Sequence, residues 1–363
     1  MNIMVFDVPA STVGALSILN DFYNDLKIRQ GNEHNWIFVL SKPNIEETES
    51  IKVRRFPWIK KSWLHRLYFD NIVAPYLVNK YKIDKVLSFQ NVIIPRTKVE
   101  QVLYMHNALP FIDYKFAFKE NKHLWIYQNI IGWNIVKSIK RANKVLVQSE
   151  WIKKACVEKA KVPSEKINVI QPRLNIANNK YFVPREEAYT TFFYPASEFE
   201  YKNHKVIIDA CKRLKQEKIK NYKVIFTLKG DENNYVSKLF NEVKENHLPI
   251  DFVGNLSREQ VFDLYTKSVL IFPSYIETFG LPLLEAKLHR GIIFASDCPF
   301  SHEILDGYEN VHFFNPFDSN DLLKHIKNSI NGDLIYMINE KTNVSLPSSN
   351  YDSFWKALNF KVL

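Results

Sequence analysis

Glycine is scarce in this chain, with nine in 363 residues, and none of them forms a G-x-G-x-x-G run. A nicotinamide or flavin dinucleotide site is therefore disfavoured. The three cysteines, Cys156, Cys211 and Cys298, are odd in number and far apart. That spacing argues against a disulfide framework and against a thiolate metal cluster, and it suits a reducing cytosol. No Asp-x-Asp pair occurs, and histidines and acids do not cluster at metal-ligand spacing, so no metal site is expected. No apolar run approaches the length of a membrane span. The opening residues, Met1-Asn2-Ile3-Met4-Val5-Phe6-Asp7, are those of a strand rather than of a signal peptide.

What is present is apolar residue and positive charge. Hydrophobic residues make up 46% of a chain whose length suits two cores rather than one. The formal net charge of +10 asks for an anionic partner: nucleic acid, a membrane surface or a phosphorylated ligand. Lys52, Arg54, Arg55, Lys60, Lys61 and Arg66 alternate with Phe56, Trp58, Trp63 and Leu64, a mixture that suits the interfacial layer of a bilayer. A second such stretch runs from Tyr114 to Lys144, with Trp125, Tyr127 and Trp133. No nucleic-acid module is recognisable, so nucleic acid is not expected as a partner.

Short β-branched runs alternate with helical patterns along the whole chain, as parallel α/β sheets require. The first half predicts strands over 3–7, 36–40, 53–56, 85–89, 102–106, 144–148 and 167–171, and helices over 14–27, 62–82, 124–140 and 150–161. The second half predicts strands over 191–195, 223–228, 251–253, 269–272, 292–295 and 311–313. Its helices are expected over 204–216, 234–245, 258–267, 282–290 and 321–331. The polar, asparagine-rich stretch 175–187 marks the boundary. Domains are thus expected over 1–176 and 188–349, with a last helix, 350–363, docking on other structure.

The chemistry concentrates in residues 273–285, Pro-Ser-Tyr-Ile-Glu-Thr-Phe-Gly-Leu-Pro-Leu-Leu-Glu. Glu277 falls in the loop at the carboxyl end of a buried strand, and Glu285 lies about one turn into the next helix. Between them, the amides around Phe279, Gly280 and Leu281 open a helix N-terminus that favours a phosphate. Gly280 lets the backbone approach a ligand closely. Gly14 stands in the turn after the first strand, another place where a βα unit brings amides to a ligand. His106 ends the strand that begins at Val102, and its two ring nitrogens suit sugar hydroxyls. Lys202, in Lys-Asn-His, precedes a helix at the start of the second half.

The segment 273–285, with seven residues between its two glutamates, resembles the signature of family-4 retaining glycosyltransferases of the GT-B fold. The likeness continues through Ser296-Asp297-Cys298-Pro299, His302-Glu303-Ile304-Leu305 and Phe314-Asn315-Pro316-Phe317-Asp318. It implies two Rossmann-like doubly wound domains facing across a cleft, the first binding acceptor and the second the nucleotide-sugar donor, with helix 350–363 crossing back onto the first. It implies catalytic roles for Glu277, His106 and Lys202, and donor contacts from Glu285, Phe279, Gly280, Leu281, Lys202 and Gly14. The chain departs from the family in lacking an arginine near Ala196 and Ser197, where a basic pair normally neutralises the diphosphate. Lys202 and the helix amides would carry that charge, with Arg173 a weaker substitute, and the reaction would need neither metal nor cofactor.

The resemblance further implies a bacterial enzyme of O-antigen or capsular polysaccharide assembly. Its acceptor would be a glycan on a polyprenyl diphosphate, and it would work in the cytoplasm, peripheral to the inner face of the membrane. Two other classes stay open at this point. One is a GT-B nucleotide-sugar epimerase or phosphorylase. The other is a basic protein that binds membrane or nucleic acid without catalysis.

Overall fold

The computed structural model describes residues 1–10, 13–28, 34–42, 44–119, 121–172, 174, 180–337, 355–356 and 358. The chain divides into two units, one of residues 1–173 with 347–363 and the other of residues 174–346.

In the first unit the strands are β1 (Asn2–Asp7), β2 (Asn35–Leu40), β3 (Ile51–Arg55), β4 (Lys85–Ser88), β5 (Glu100–Tyr104), β6 (Lys144–Val147) and β7 (Ile167–Val169). They form one parallel sheet in the order β3-β2-β1-β4-β5-β6-β7. β1 is apolar on both faces because both are covered. Ile3 and Val5 join a cluster with Phe22, Trp36 and Phe38, while Met4 and Phe6 join another with Ile59, Phe69 and Leu77. Trp355 completes the first cluster. Its indole stacks on Phe22 at 5.8 Å, meets Trp36 edge-on at 5.9 Å, and donates to Asp25 Oδ2 at 2.5 Å. Nearby, Lys85 Nζ donates to the Leu358 carbonyl at 2.7 Å. The rest of the expected helix 350–363, apart from Lys356, lies outside the described residues.

Two expected helices are each interrupted by a π turn. The stretch 62–82 becomes Trp63–Tyr68, the π turn Phe69–Val73 and Ala74–Lys80. The stretch 124–140 becomes Lys122–Ile126, the π turn Tyr127–Ile131 and Gly132–Arg141. In both, an asparagine side chain takes up a carbonyl four residues back: Asn71 donates to Leu67 and Asn129 to Trp125, each at 2.9 Å. Pro75, which has no N–H, adds a reason for the first interruption.

In the second unit the strands are β8 (Thr191–Tyr194), β9 (Lys223–Phe226), β10 (Ile250–Phe252), β11 (Val269–Phe272), β12 (Ile293–Ser296) and β13 (Val311–Phe314). Their order is β10-β9-β8-β11-β12-β13, again all parallel. Both sheets are doubly wound, and each reverses its strand order once: beside β1 and β4 in the first, beside β8 and β11 in the second. Such sheets bind ligands beyond the carboxyl ends of the strands at that reversal. The helix Pro299–Leu305 was not anticipated, since its seven residues give too short a pattern to stand out from a loop.

Candidate active site

Lys202 and Glu277 meet at the reversal point of the second sheet. Lys202 ends a 3-10 turn, Glu200–Lys202, after β8, and Glu277 follows β11. Lys202 Nζ lies 2.5 Å from Glu277 Oε1, with both side chains mostly shielded from solvent. The two loops are tied to each other by polar contacts. Tyr275 N donates to the Tyr201 carbonyl at 3.2 Å, and Asn203 Nδ2 reaches the carbonyls of Pro273 at 3.3 Å and Pro316 at 2.6 Å. Asn203 adopts a left-handed φ of 61°, a conformation asparagine tolerates better than most residues. Tyr194, at the end of β8, donates its hydroxyl to the Lys202 carbonyl at 2.6 Å. The lysine is thus held by its backbone while its ammonium faces a carboxylate.

The helix after β11 spans Leu281–Leu288, with Gly280 as its N-cap at φ 93°. A Cβ there would stand 3.4 Å from Leu283 and Phe300, and the positive φ itself favours glycine. Glycine supplies no side-chain oxygen to cap the first turn, but Pro282 has no N–H and Leu283 N donates to the Gly280 carbonyl at 3.0 Å, so of the first three helical residues only Leu281 has an N–H to offer an anionic ligand. Phe279 is buried beside it, and Leu281 is half-buried. Glu285, in the second turn, is held by two groups: Tyr265 donates to Oε2 at 3.1 Å, and Arg258 Nη2 stands 3.5 Å from Oε1. Burial raises the carboxyl of Glu285 above its ordinary value, while Arg258 and the tyrosine hydrogen bond pull it back down.

His106 and Gly14 belong to the first unit. His106 lies two residues past β5, and its Nε2 is 2.8 Å from the Phe89 carbonyl. The Phe89 carbonyl can only accept, which asks for a proton on Nε2, while Asn91 Nδ2, 3.2 Å from the same nitrogen, can only donate, so the two contacts suit different tautomers. Burial lowers the pKa of this imidazole and favours its neutral form, against the hydrogen bond to Phe89. Asn91 Oδ1 accepts from His106 N at 2.7 Å and fixes the residue's backbone. Gly14 falls in the first turn of the helix Val13–Ile28, as the helix expected over 14–27 has it, and not in the turn before that helix. Arg173, the suggested substitute for the missing arginine, lies outside the described residues.

Sequence reading missed Arg258 and Tyr265, the two partners of Glu285, because nothing in the spacing ties the helix Arg258–Tyr265 to the helix Leu281–Leu288. It also missed Asp7 and Gln90, buried polar residues at the ends of β1 and β4. Burial pushes the carboxyl of Asp7 up to about 8, against a backbone hydrogen bond at Ala10 and the charges of Arg66 and Lys60. Among the described residues no group of three or more histidines, cysteines or acids could hold a metal ion. Nor, among those residues, is any helix long and apolar enough to cross a membrane.

Residues 177–342 match the family profile described as "Glycosyl transferases group 1". Over 293 residues the chain is 26% identical to the O-antigen chain mannosyltransferase RfbU of Salmonella typhimurium, covering 80% of this chain and 76% of that protein. The lipopolysaccharide outer core galactosyltransferase WaaB, in its apo form, superposes with a TM-score of 0.65 at 16% identity over 99% of both chains. HepE of Anabaena, solved with UDP-glucose, superposes with a TM-score of 0.64 at 16% identity over 92% of this chain and 90% of that one. The fold, two parallel-sheet α/β units, is that of GT-B glycosyltransferases.

Proposed function

We propose that the chain, whose residues 177–342 match the group 1 glycosyl transferase profile, is a retaining, family-4-type glycosyltransferase moving a sugar from a nucleotide donor to a glycan acceptor. In this reading the second unit binds the donor, the first binds the acceptor, and neither metal nor cofactor is required. The observation that carries it is the Lys202–Glu277 pair at the reversal point of the second sheet, next to an uncapped helix start.

Transfer builds negative charge on the leaving diphosphate and positive charge on the sugar ring, and a preorganised cation aimed at the former is the largest catalytic aid. Without a donor, Lys202 and Glu277 neutralise one another. When the diphosphate arrives, the ammonium turns to it, and the glutamate is released to hold sugar hydroxyls and offset charge at the anomeric carbon. The helix start at Gly280 adds a donor, the Leu281 N–H, to the same diphosphate, in place of the arginine the family carries near Ala196 and Ser197. Glu285 accepts the ribose hydroxyls, and a ring nitrogen of His106 serves a sugar hydroxyl.

The acceptor we propose is a polyprenyl-diphosphate-linked oligosaccharide of O-antigen or capsule assembly. RfbU is named for the O-antigen chain and WaaB for the lipopolysaccharide outer core, which supports that class. Membrane proximity agrees with the exposed apolar residues of the basic segments. Trp63 is 52% exposed and Leu64 76%, with Leu67, Ile72, Ile130 and Trp133 also exposed. Trp63 packs edge-on against Tyr127 at 5.8 Å, which joins the two stretches, and Lys137 sits 4.8 Å over the Trp133 ring. Aromatics with lysines on one surface suit anionic lipid headgroups.

The test is a thermal-shift screen against UDP-, GDP-, dTDP- and ADP-sugars, followed by transfer from the stabilising donor to lipid-linked oligosaccharide. Stabilisation by none of them would sink the reading. Donor turnover without any acceptor would instead point to the epimerase or phosphorylase class.

A further inference from the structure

The two oxygens of Glu285 keep unlike company. Oε2 receives the Tyr265 hydroxyl at 3.1 Å, while Oε1 faces Arg258 Nη2 at 3.5 Å, near the limit for a hydrogen bond. Tyr265 closes the helix Arg258–Tyr265 and is 1% exposed. Its ring is wedged between Phe193 at 5.7 Å and His289 at 5.6 Å, which fixes the direction of the hydroxyl. Burial, with the charge of Glu285 behind it, lifts that phenol well above its ordinary pKa, so it always has a proton to donate. His289 Nδ1 lies 2.7 Å from the Glu285 carbonyl and steadies the backbone that carries the carboxylate. Arg258 differs in each respect. It stands first in its helix, behind the Ser257–Gln260 capping box, with its side chain 55% exposed and its guanidinium 5.0 Å over the Phe262 ring.

The difference decides which oxygen a ligand can take. An ion pair with an exposed, long side chain contributes little and exchanges readily. A hydrogen bond from a buried phenol to a carboxylate is costly to break. We propose that Tyr265 is the positioning residue for Glu285, holding Oε2 so that Oε1 faces the nucleotide, and that Arg258 is a latch on Oε1 which a pentose hydroxyl displaces. That Oε1 meets a pentose rests on the transferase reading; the unequal hold on the two oxygens does not. Without Tyr265, both oxygens fall to the guanidinium, whose planar fork matches a carboxylate in two-point contact. The pentose would then have two contacts to break instead of one. Without Arg258, Oε1 is left open and its aim is unchanged.

The experiment is isothermal titration of the full chain at pH 8, well above the ordinary carboxylate range. The probes are whichever of UDP, GDP, dTDP and ADP binds wild type, and the same nucleotide in its 2′,3′-dideoxy form. Wild type, Tyr265→Phe and Arg258→Gln are compared. Wild type should bind the native nucleotide about tenfold more tightly than the dideoxy form, the worth of a hydrogen bond to a charged group. Tyr265→Phe should weaken the native nucleotide by about tenfold and change the dideoxy form by less than about twofold. Arg258→Gln should tighten the native nucleotide by about threefold, the scale of an exposed ion pair, and again spare the dideoxy form. A merely structural role for either residue would move both nucleotides together, and that result overturns the proposal. So does a native affinity unchanged in Tyr265→Phe, or one weakened in Arg258→Gln, which would make the guanidinium a contact of the nucleotide. Should Tyr265→Phe fail to fold, Arg258→Gln, at an exposed position, provides the same comparison. A wild type that binds no nucleotide is the failure of the transferase reading, whereas one that binds both forms equally removes Glu285 from the pentose. Either result takes the latch with it.

Discussion

Lys202 Nζ and Glu277 Oε1 stand 2.5 Å apart although 75 residues separate them in the chain, one on the loop after β8 and the other on the loop after β11. If the lysine's task is to meet a leaving diphosphate, Lys202→Met should lower kcat by about two to three orders of magnitude, the scale set by removing one preorganised charge-stabilising donor. Glu277→Gln should also lower kcat but leave nucleotide binding largely intact. A Lys202→Met enzyme with wild-type kcat would remove the lysine from the mechanism.

Glu285→Ala should raise the donor KM by about tenfold or more while changing kcat less, since the carboxylate is assigned to the ribose and not to the reacting bond. The raised pKa adds a pH signature. The ionised carboxylate is the better acceptor, so donor affinity should weaken as pH falls toward the raised value, and weaken earlier than for an ordinary glutamate. In Glu285→Gln this pH dependence should vanish. Isothermal titration with the stabilising nucleotide between pH 5 and pH 8 would read both effects.

Asp7 should make stability fall as pH rises. Its carboxyl is pushed from 3.8 to about 8 in the folded chain, so between those values the folded state holds a proton that the unfolded state has released. Any stability lost through this window should return in Asp7→Asn, which cannot ionise. The melting temperature of the variant should exceed wild type at pH 8 by at least roughly 3 °C more than it does at pH 4, equivalent to about 1 kcal/mol for a unit of this size. Parallel curves for the two proteins would contradict the assignment.

Trp355→Ala should destabilise the first unit by about 3–5 kcal/mol, the usual cost of truncating a large buried aromatic. The loss combines the stacking on Phe22, the edge contact with Trp36 and the hydrogen bond to Asp25. Calorimetry should show the first unit melting earlier and the second unchanged. A uniform shift of both would mean that the tryptophan supports more than its own core.

Much of the fold was legible because buried parallel strands are short apolar runs with little else to imitate them. Val269–Phe272 and Asn2–Asp7 stand out on that ground alone, and the glutamates flanking Gly280 follow from the strand before them. The π turns were not legible, since the apolar pattern of 62–82 and 124–140 continues through them and the cue is an asparagine's choice of carbonyl. The partners of Glu285 were hidden for a different reason. Arg258 and Tyr265 come from another helix, and a pairing between helices is set by tertiary packing. Asp7 and Gln90 look like ordinary polar residues at strand ends; what distinguishes them is burial, with Asp7 Oδ1 and both polar atoms of Gln90 lacking a hydrogen-bond partner among the described residues.

The wide turn at Phe69–Val73 takes up one residue more than a regular helical turn would, so the helix beyond it keeps its bearing despite the extra length. Removing Asn71 alone would let the backbone regularise with Ala74, Leu77 and Val78 still facing the core they fill. A deletion within Ala74–Lys80 has no such outlet: each residue of a regular helix advances about 100° around the axis, so everything after the gap would swing by about that angle. The segment therefore tolerates the loss of a residue at the turn and not a turn later.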